Sequence, residues 1–385
     1  MRRQLETTMG AAALLLVLAG AAAGAQVTFQ QFPVQDGFIN DMSADGKVVV
    51  GMWVSSGKTT QAWRWTAAGG VEDIGGDMDT VAISRDGKTI VGRAADTGGI
   101  KSAAIWQGGK NWQLLGGVPG GVPDGLSVTS SAFGVSADGS VIVGTANLPN
   151  VIFHAFRWDA TTGMVDLGSL QGRGSYARSV SADGNTIVGY DQVAKGGHSP
   201  VPDGNSGAIF WNGLERMLHA FGRAGEARFT NDVGSIIVGE YHPLGGGTLP
   251  DGTIRPYSGT YLYTAWDGGF QDLGAVWYSN LPPDVAYREY TSKPWGVSDD
   301  GKVVVGTTGF SNVFACFWTS ATGMVRVSDY LTANGVTAHQ GWELTAAGYV
   351  SPDGKRIAGT GINAQKVAYS WIVTLPKHRK RDSRP

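Results

Sequence analysis

The sequence predicts an all-β fold, a seven-bladed β-propeller with four-stranded blades, and three observations predict it. A short apolar stretch runs into a variant of Ser-Ala-Asp-Gly and out into Val-Ile-Val-Gly seven times, with turn glycines at Gly46, Gly87, Gly139, Gly184, Gly234, Gly301 and Gly354. Successive glycines lie 41, 52, 45, 50, 67 and 53 residues apart, close to the period of a four-stranded blade. Each unit also carries an aromatic strand ending in Trp, at Trp65, Trp106, Trp158, Trp211, Trp318 and Trp371, with Tyr263 in that place in the fifth unit. An open β-solenoid is the alternative that a repeat of this period allows.

The elements follow in chain order. Residues 1–25 read as a cleavable signal peptide: Arg2 and Arg3 precede the apolar run Ala11–Ala23, and Ala23-Gly24-Ala25 is a small-x-small cleavage site. The run is short for a membrane span, so no integral membrane segment is expected after cleavage. Val27–Phe32 is then an orphan strand. In each unit Asp and Gly supply the local hydrogen bond and the positive φ of a tight hairpin turn. The strand leaving it, such as Lys47–Val50, is continuously apolar, as expected of a sheet buried on both faces. The aromatic strand follows, and its Trp is read as filling between blades. A turn leads to a fourth strand of the type Met164–Gly168. The last unit stops after its third strand, near Val373, so Val27–Phe32 is expected to complete it and close the ring. The propeller thus spans residues 26–376, and 377–385 is a basic tail.

Composition narrows the function. Glycine at 59 of 385 residues with only 16% charged residues suits a turn-rich β protein, and the net charge of −2 gives no nucleic-acid surface. The single cysteine, Cys316, lies in the apolar strand Phe314–Trp318 and reads as a buried thiol. The glycines precede no phosphate-binding helix. The sequence does not identify a cofactor: His198, His242, His339 and His154 together could hold a divalent metal, although their spacing makes no metal motif, and a monomer is expected.

Phe153-His154-Ala155-Phe156-Arg157-Trp158, followed by Gly163–Gly168 and the Ser-Ala-Asp-Gly turn, resembles the bacterial extracellular repeat called the HAF family. The resemblance covers nearly all of the mature chain and implies a secreted or surface-exposed protein. It brings no catalytic residues with it.

Loops alternate between the two ends of such a ring. The Asp-Gly turns and the turns after Trp share one end and are short. Every long insertion, namely 117–131, 190–207, 240–259, 275–293 and 328–345, belongs to the other end, where function is expected. Those insertions supply the candidate ligand-binding residues His198, Arg255, Tyr257, Trp277, Tyr278, Tyr290 and His339. They suit an extracellular polysaccharide or other surface polymer, with flat aromatic faces for sugars and cations for carboxylates. The alternative is a polysaccharide-cleaving enzyme, a lyase rather than a hydrolase, in which His242, Tyr287 and Arg288 supply base, acid and charge neutralisation. His154 and His219 have no carboxylate nearby in sequence and carry less weight.

Overall fold

In the computed structural model of this chain the described residues are 26–376, without 54–60, 77–80, 110, 120–127, 149–150, 170–173, 193–205, 213–214, 218–223, 243–258, 265–267, 277–290 and 310. The described strands form seven four-stranded antiparallel sheets, arranged as a β-propeller. Blades 1 to 6 are consecutive in sequence: Gly37–Gly75, Ala82–Gly116, Ser130–Gly168, Ser175–Met217, Ala224–Gly274 and Ser292–Arg326. Blade 7 takes its three inner strands from Glu343–Thr374 and its outermost strand from Thr28–Gln35. That N-terminal strand pairs antiparallel with Ala368–Thr374, placing Phe29 opposite Val373 and Gln31 opposite Trp371. The orphan strand of the sequence therefore closes the ring.

The Ser-Ala-Asp-Gly motif folds by its own hydrogen bonds. In blade 1 the Ser43 hydroxyl donates to Asp45 Oδ1 (2.8 Å), while its oxygen accepts from the Val48 N–H at 3.0 Å. Asp45 Oδ1 also accepts from the Lys47 N–H at 3.0 Å, and Gly46 turns the chain at φ +71°. These bonds hold Asp45 well ionised, with its carboxyl lowered to about 2, first by the Lys47 backbone N–H and then by the Lys47 and Ser43 side chains.

The turns also link the blades. Ala44 N–H donates to Arg85 O, Asp86 to Ala137 O, Ala137 to Ala182 O, Ala182 to Asp232 O, and Asp299 to Pro352 O. Between blades 5 and 6 the Asn231 side-chain amide donates to Asp299 O instead. Pro352 has no N–H to give, and the last link is made by the Arg356 guanidinium, which donates to Asp45 O at 3.2 Å. One end of the ring is thus a closed belt of turns.

The core consists of apolar layers between blades. Val50 and Ala62 of blade 1 meet Ile83, Ile90 and Trp106 of blade 2. Val91 and Ile105 of blade 2 meet Ala132, Ile142 and Phe156 of blade 3. Cys316 is buried as expected, and burial pushes its thiol far above the ordinary range.

Two details differ from the expectation. Trp371 does not occupy the column of Trp65, Trp106 and Trp158; register places it opposite Gly359, as Trp63 lies opposite Gly51, and Val373 fills the column. The insertion at 328–345 is packed scaffold at its start. Val327–Ala333 is a short α-helix, α1, whose Val327 and Leu331 are buried in the blade 6–7 core.

Candidate functional site in the central channel

The innermost strands share an irregularity that aims the site. In six blades the register with the second strand slips three residues before the turn Ser or Asn, and in blade 7 it slips a second time, at Thr345. Such a bulge inserts one residue and redirects its side chain. The residues at the bulge are Asn40, Phe133, Arg178, Arg228, Trp295 and Gly348. Two residues earlier stand Phe38, Ser131, Tyr176, Glu226, Lys293 and Ala346. At about 3.3 Å per residue, this second row lies roughly 16 Å from the belt of turns, toward the end that carries the long loops.

From blade 3 to blade 6 the wall alternates rings and charges. The Arg178 guanidinium lies 5.2 Å from the Phe133 ring, 5.9 Å from Tyr176 and 5.3 Å from Tyr190. Tyr176 and Tyr190 stack at 4.5 Å, inclined by 11°. Burial raises both phenols, Tyr190 to about 12, although Arg178 opposes the shift. They are neutral hydroxyls and stacking faces at ordinary pH, not bases. Further round, buried Arg228 pairs with Glu226 at 2.7 Å and Glu240 at 3.0 Å, and lies 5.3 Å from the Trp295 ring. Lys293 stands 3.6 Å from Glu240 and 5.7 Å from the same ring. The arrangement offers flat apolar faces and fixed cations along one wall, which suits binding of a polar polymer.

The opposite end, expected to be plain, is crossed by charge. The second residue of each turn is Ala44, Arg85, Ala137, Ala182, Asp232, Asp299 or Pro352. Arg85 of blade 2 reaches across the axis and pairs with Asp232 of blade 5 and, at 3.3 Å, with Asp299 of blade 6. Burial, reinforced by the Asp232 charge, raises Asp299 to about 6 against the pull of Arg85. Asp41 also rises to about 6, from burial, although the N–H groups of Ile83 and Met42 and the charge of Arg85 oppose it. Both acids bind protons more tightly in the folded than in the unfolded chain. Their stabilising contribution is therefore complete below about pH 4 and is lost as pH rises through about 6. Arg85→Ala should thus cost about 1 kcal/mol at pH 7.5, because solvent screens these partly exposed groups, and clearly less at pH 5. Urea midpoints at both pH values check this, and a cost independent of pH would contradict it.

The residues expected from the sequence are distributed differently. His198, Arg255, Tyr257, Trp277, Tyr278, Tyr287, Arg288, Tyr290 and His219 lie outside the described residues. His242 ends the strand Ile236–His242, its backbone opposite Ala224. His339 is buried, with Nε2 at 3.2 Å from the Thr332 hydroxyl and its ring edge-on to Phe29. It packs the N-terminal strand. His154 departs from its expectation, because the hairpin brings Asp166 to 3.0 Å from its Nδ1. Twelve residues separate the two in sequence, and only antiparallel pairing brings them together. Among the described residues no group of three or more His, Cys, Asp or Glu is placed to hold a metal ion. None of the described helices is long and apolar enough to cross a membrane.

Sequence reasoning missed the channel wall, yet a signal was present. A large side chain stands three residues before the turn Ser or Asn at Phe133, Arg178, Arg228 and Trp295, each directly after an Ala or Pro.

Comparison with solved structures supports the architecture. An oligogalacturonate lyase in complex with manganese aligns over 92% of this chain and 98% of its own, at 13% identity and a TM-score of 0.53. The β-propeller domain of the trilobed protease from Pyrococcus furiosus, described as having an open velcro topology, aligns over 77% and 85%, at 14% identity and a TM-score of 0.50. A putative TolB from Agrobacterium tumefaciens covers 64% of this chain and 88% of its own, at 17% identity and a TM-score of 0.43. At these identities the likeness to the lyase and to the protease propeller is one of fold alone. No protein-family profile matches the chain. No curated protein matches it either.

Proposed function

We propose that this chain is an exported propeller of the HAF-repeat kind that binds an extracellular polymer, a glycan, at the long-loop end of its channel. The leader-like residues 1–25 and the repeat support export. The observation that carries the binding reading is the wall of Phe133, Tyr176, Tyr190 and Trp295 interleaved with Arg178, Arg228 and Lys293. Rings present apolar faces to the C–H faces of sugars, and the cations beside them fix hydroxyls or carboxylates. The raised phenols of Tyr176 and Tyr190 favour binding over proton abstraction at this wall.

The test is retention of the purified mature protein on acidic and neutral polysaccharides, with ultraviolet absorbance followed for unsaturated products. Retention without new absorbance is expected, and Trp295→Ala or Tyr190→Ala should weaken it roughly fivefold to tenfold. Absorbance that grows with wild-type protein and disappears in His242→Ala or Tyr287→Phe would establish the lyase instead.

A further inference from the structure

We propose that Arg178 is the carboxylate-recognising residue of the channel, which makes the ligand a uronate-bearing glycan; this rests on the glycan reading above. Charge accounting within the wall singles it out. Arg228 is held between Glu226 and Glu240, and Lys293 shares Glu240. Arg178 takes part in no ion pair among the described residues. Among the described residues of the wall three cations thus face two carboxylates, and the surplus charge sits on the guanidinium without an acidic partner there.

Its surroundings hold that guanidinium ready. Phe133, Tyr176 and Tyr190 lie around it within 6 Å, and they limit its rotamers without neutralising it. Its Nε is buried without a hydrogen-bond partner, as are those of Arg64, Arg228 and Arg326, so recognition falls to the two terminal nitrogens, whose planar fork matches a two-oxygen acceptor. A carboxylate on a pyranose ring fits both halves of the site: oxygens for the guanidinium fork, ring C–H groups for the tyrosine faces. The axis is polar in the same sense. Among the described residues, Asp232, Asp299 and Asp41 gather round Arg85 at the belt of turns, whereas the wall at Arg178 carries one cation more than its carboxylates. A polyanion is drawn to the long-loop end and repelled from the other.

The experiment is calorimetric titration of the full mature protein with oligogalacturonate, with the same oligomer as its methyl ester, and with a neutral oligosaccharide of equal length. Wild-type protein should bind the free acid about tenfold more tightly than the ester, the size of one charge-assisted hydrogen bond. Arg178→Gln should bring the two affinities together, and Arg178→Lys should retain part of the preference, because the charge remains while the fork is lost. Thermal melts confirm that each variant is folded. Equal affinity of wild-type protein for acid and ester overturns the assignment even if the variants fail to fold, and so does a preference that survives in folded Arg178→Gln. Failure of all three oligosaccharides to bind overturns the glycan reading itself, and the assignment with it.

Discussion

Trp371→Ala is expected to lower unfolding stability by about 3–5 kcal/mol, the usual cost of removing a large buried ring. Trp371 is fully buried in blade 7, where its Nε1–H donates to Thr360 O at 2.8 Å and its ring lies 6.3 Å from Phe29 of the N-terminal strand. The indole therefore joins the two ends of the chain. Truncation leaves a cavity against Phe29, Leu344 and Val373 and removes one of the two side-chain donors to Thr360 O, the Thr345 hydroxyl being the other, and it loosens the strand that covers the edge of Ala368–Thr374. A denaturant titration reads the loss. A decrease below about 1 kcal/mol would mean that closure of the ring does not depend on this contact. Trp65→Ala is the useful comparison, because that ring is only partly buried and should cost less.

The same residue shows what the sequence could and could not disclose. The Asp-Gly turns were legible because their chemistry is local: Ser, Asp and Gly make the hydrogen bonds and the positive φ within five residues. Closure by Val27–Phe32 was legible because a unit short of one strand and a strand short of a unit stood at the two ends. Trp371 was assigned to the wrong column because aligned motifs do not fix register, and both positions opposite Gly359 and Ile357 accept apolar residues. Arg178, Arg228 and Trp295 lie in strands, away from the long loops in which the sequence placed its candidate residues. Their role depends on a bulge, which only the pairing of two strands reveals. The crossing of Arg85 with Asp232 and Asp299 depends on blades 2, 5 and 6 facing each other across an axis, and nothing local encodes that.

Gly189→Ala is expected to cost about 3 kcal/mol or more, although it adds one methyl group to a strand. Gly189 is the last residue of a Val-Ile-Val-Gly variant and lies opposite Ala177, immediately before the register slips past Arg178. The bulge forces the innermost strand against it, so a Cβ would overlap the Tyr176 carbonyl oxygen and lie 3.1 Å from the Ala177 Cα. Backbone cannot yield as a flexible side chain does, so the bulge itself must move. Gly163→Ala separates this effect from ordinary glycine strain. Its φ is +69° with open space around it, and alanine there should cost only about 1 kcal/mol. The two variants also differ at the channel. Because the bulge aims Arg178, Gly189→Ala should weaken oligogalacturonate binding as well as stability, whereas Gly163→Ala should change stability alone. Equal costs at the two glycines would show that the bulge is soft. A rigid bulge makes the repeated glycine a condition for the site: it permits the close approach of two strands, and that approach turns Arg178 toward its ring of aromatics.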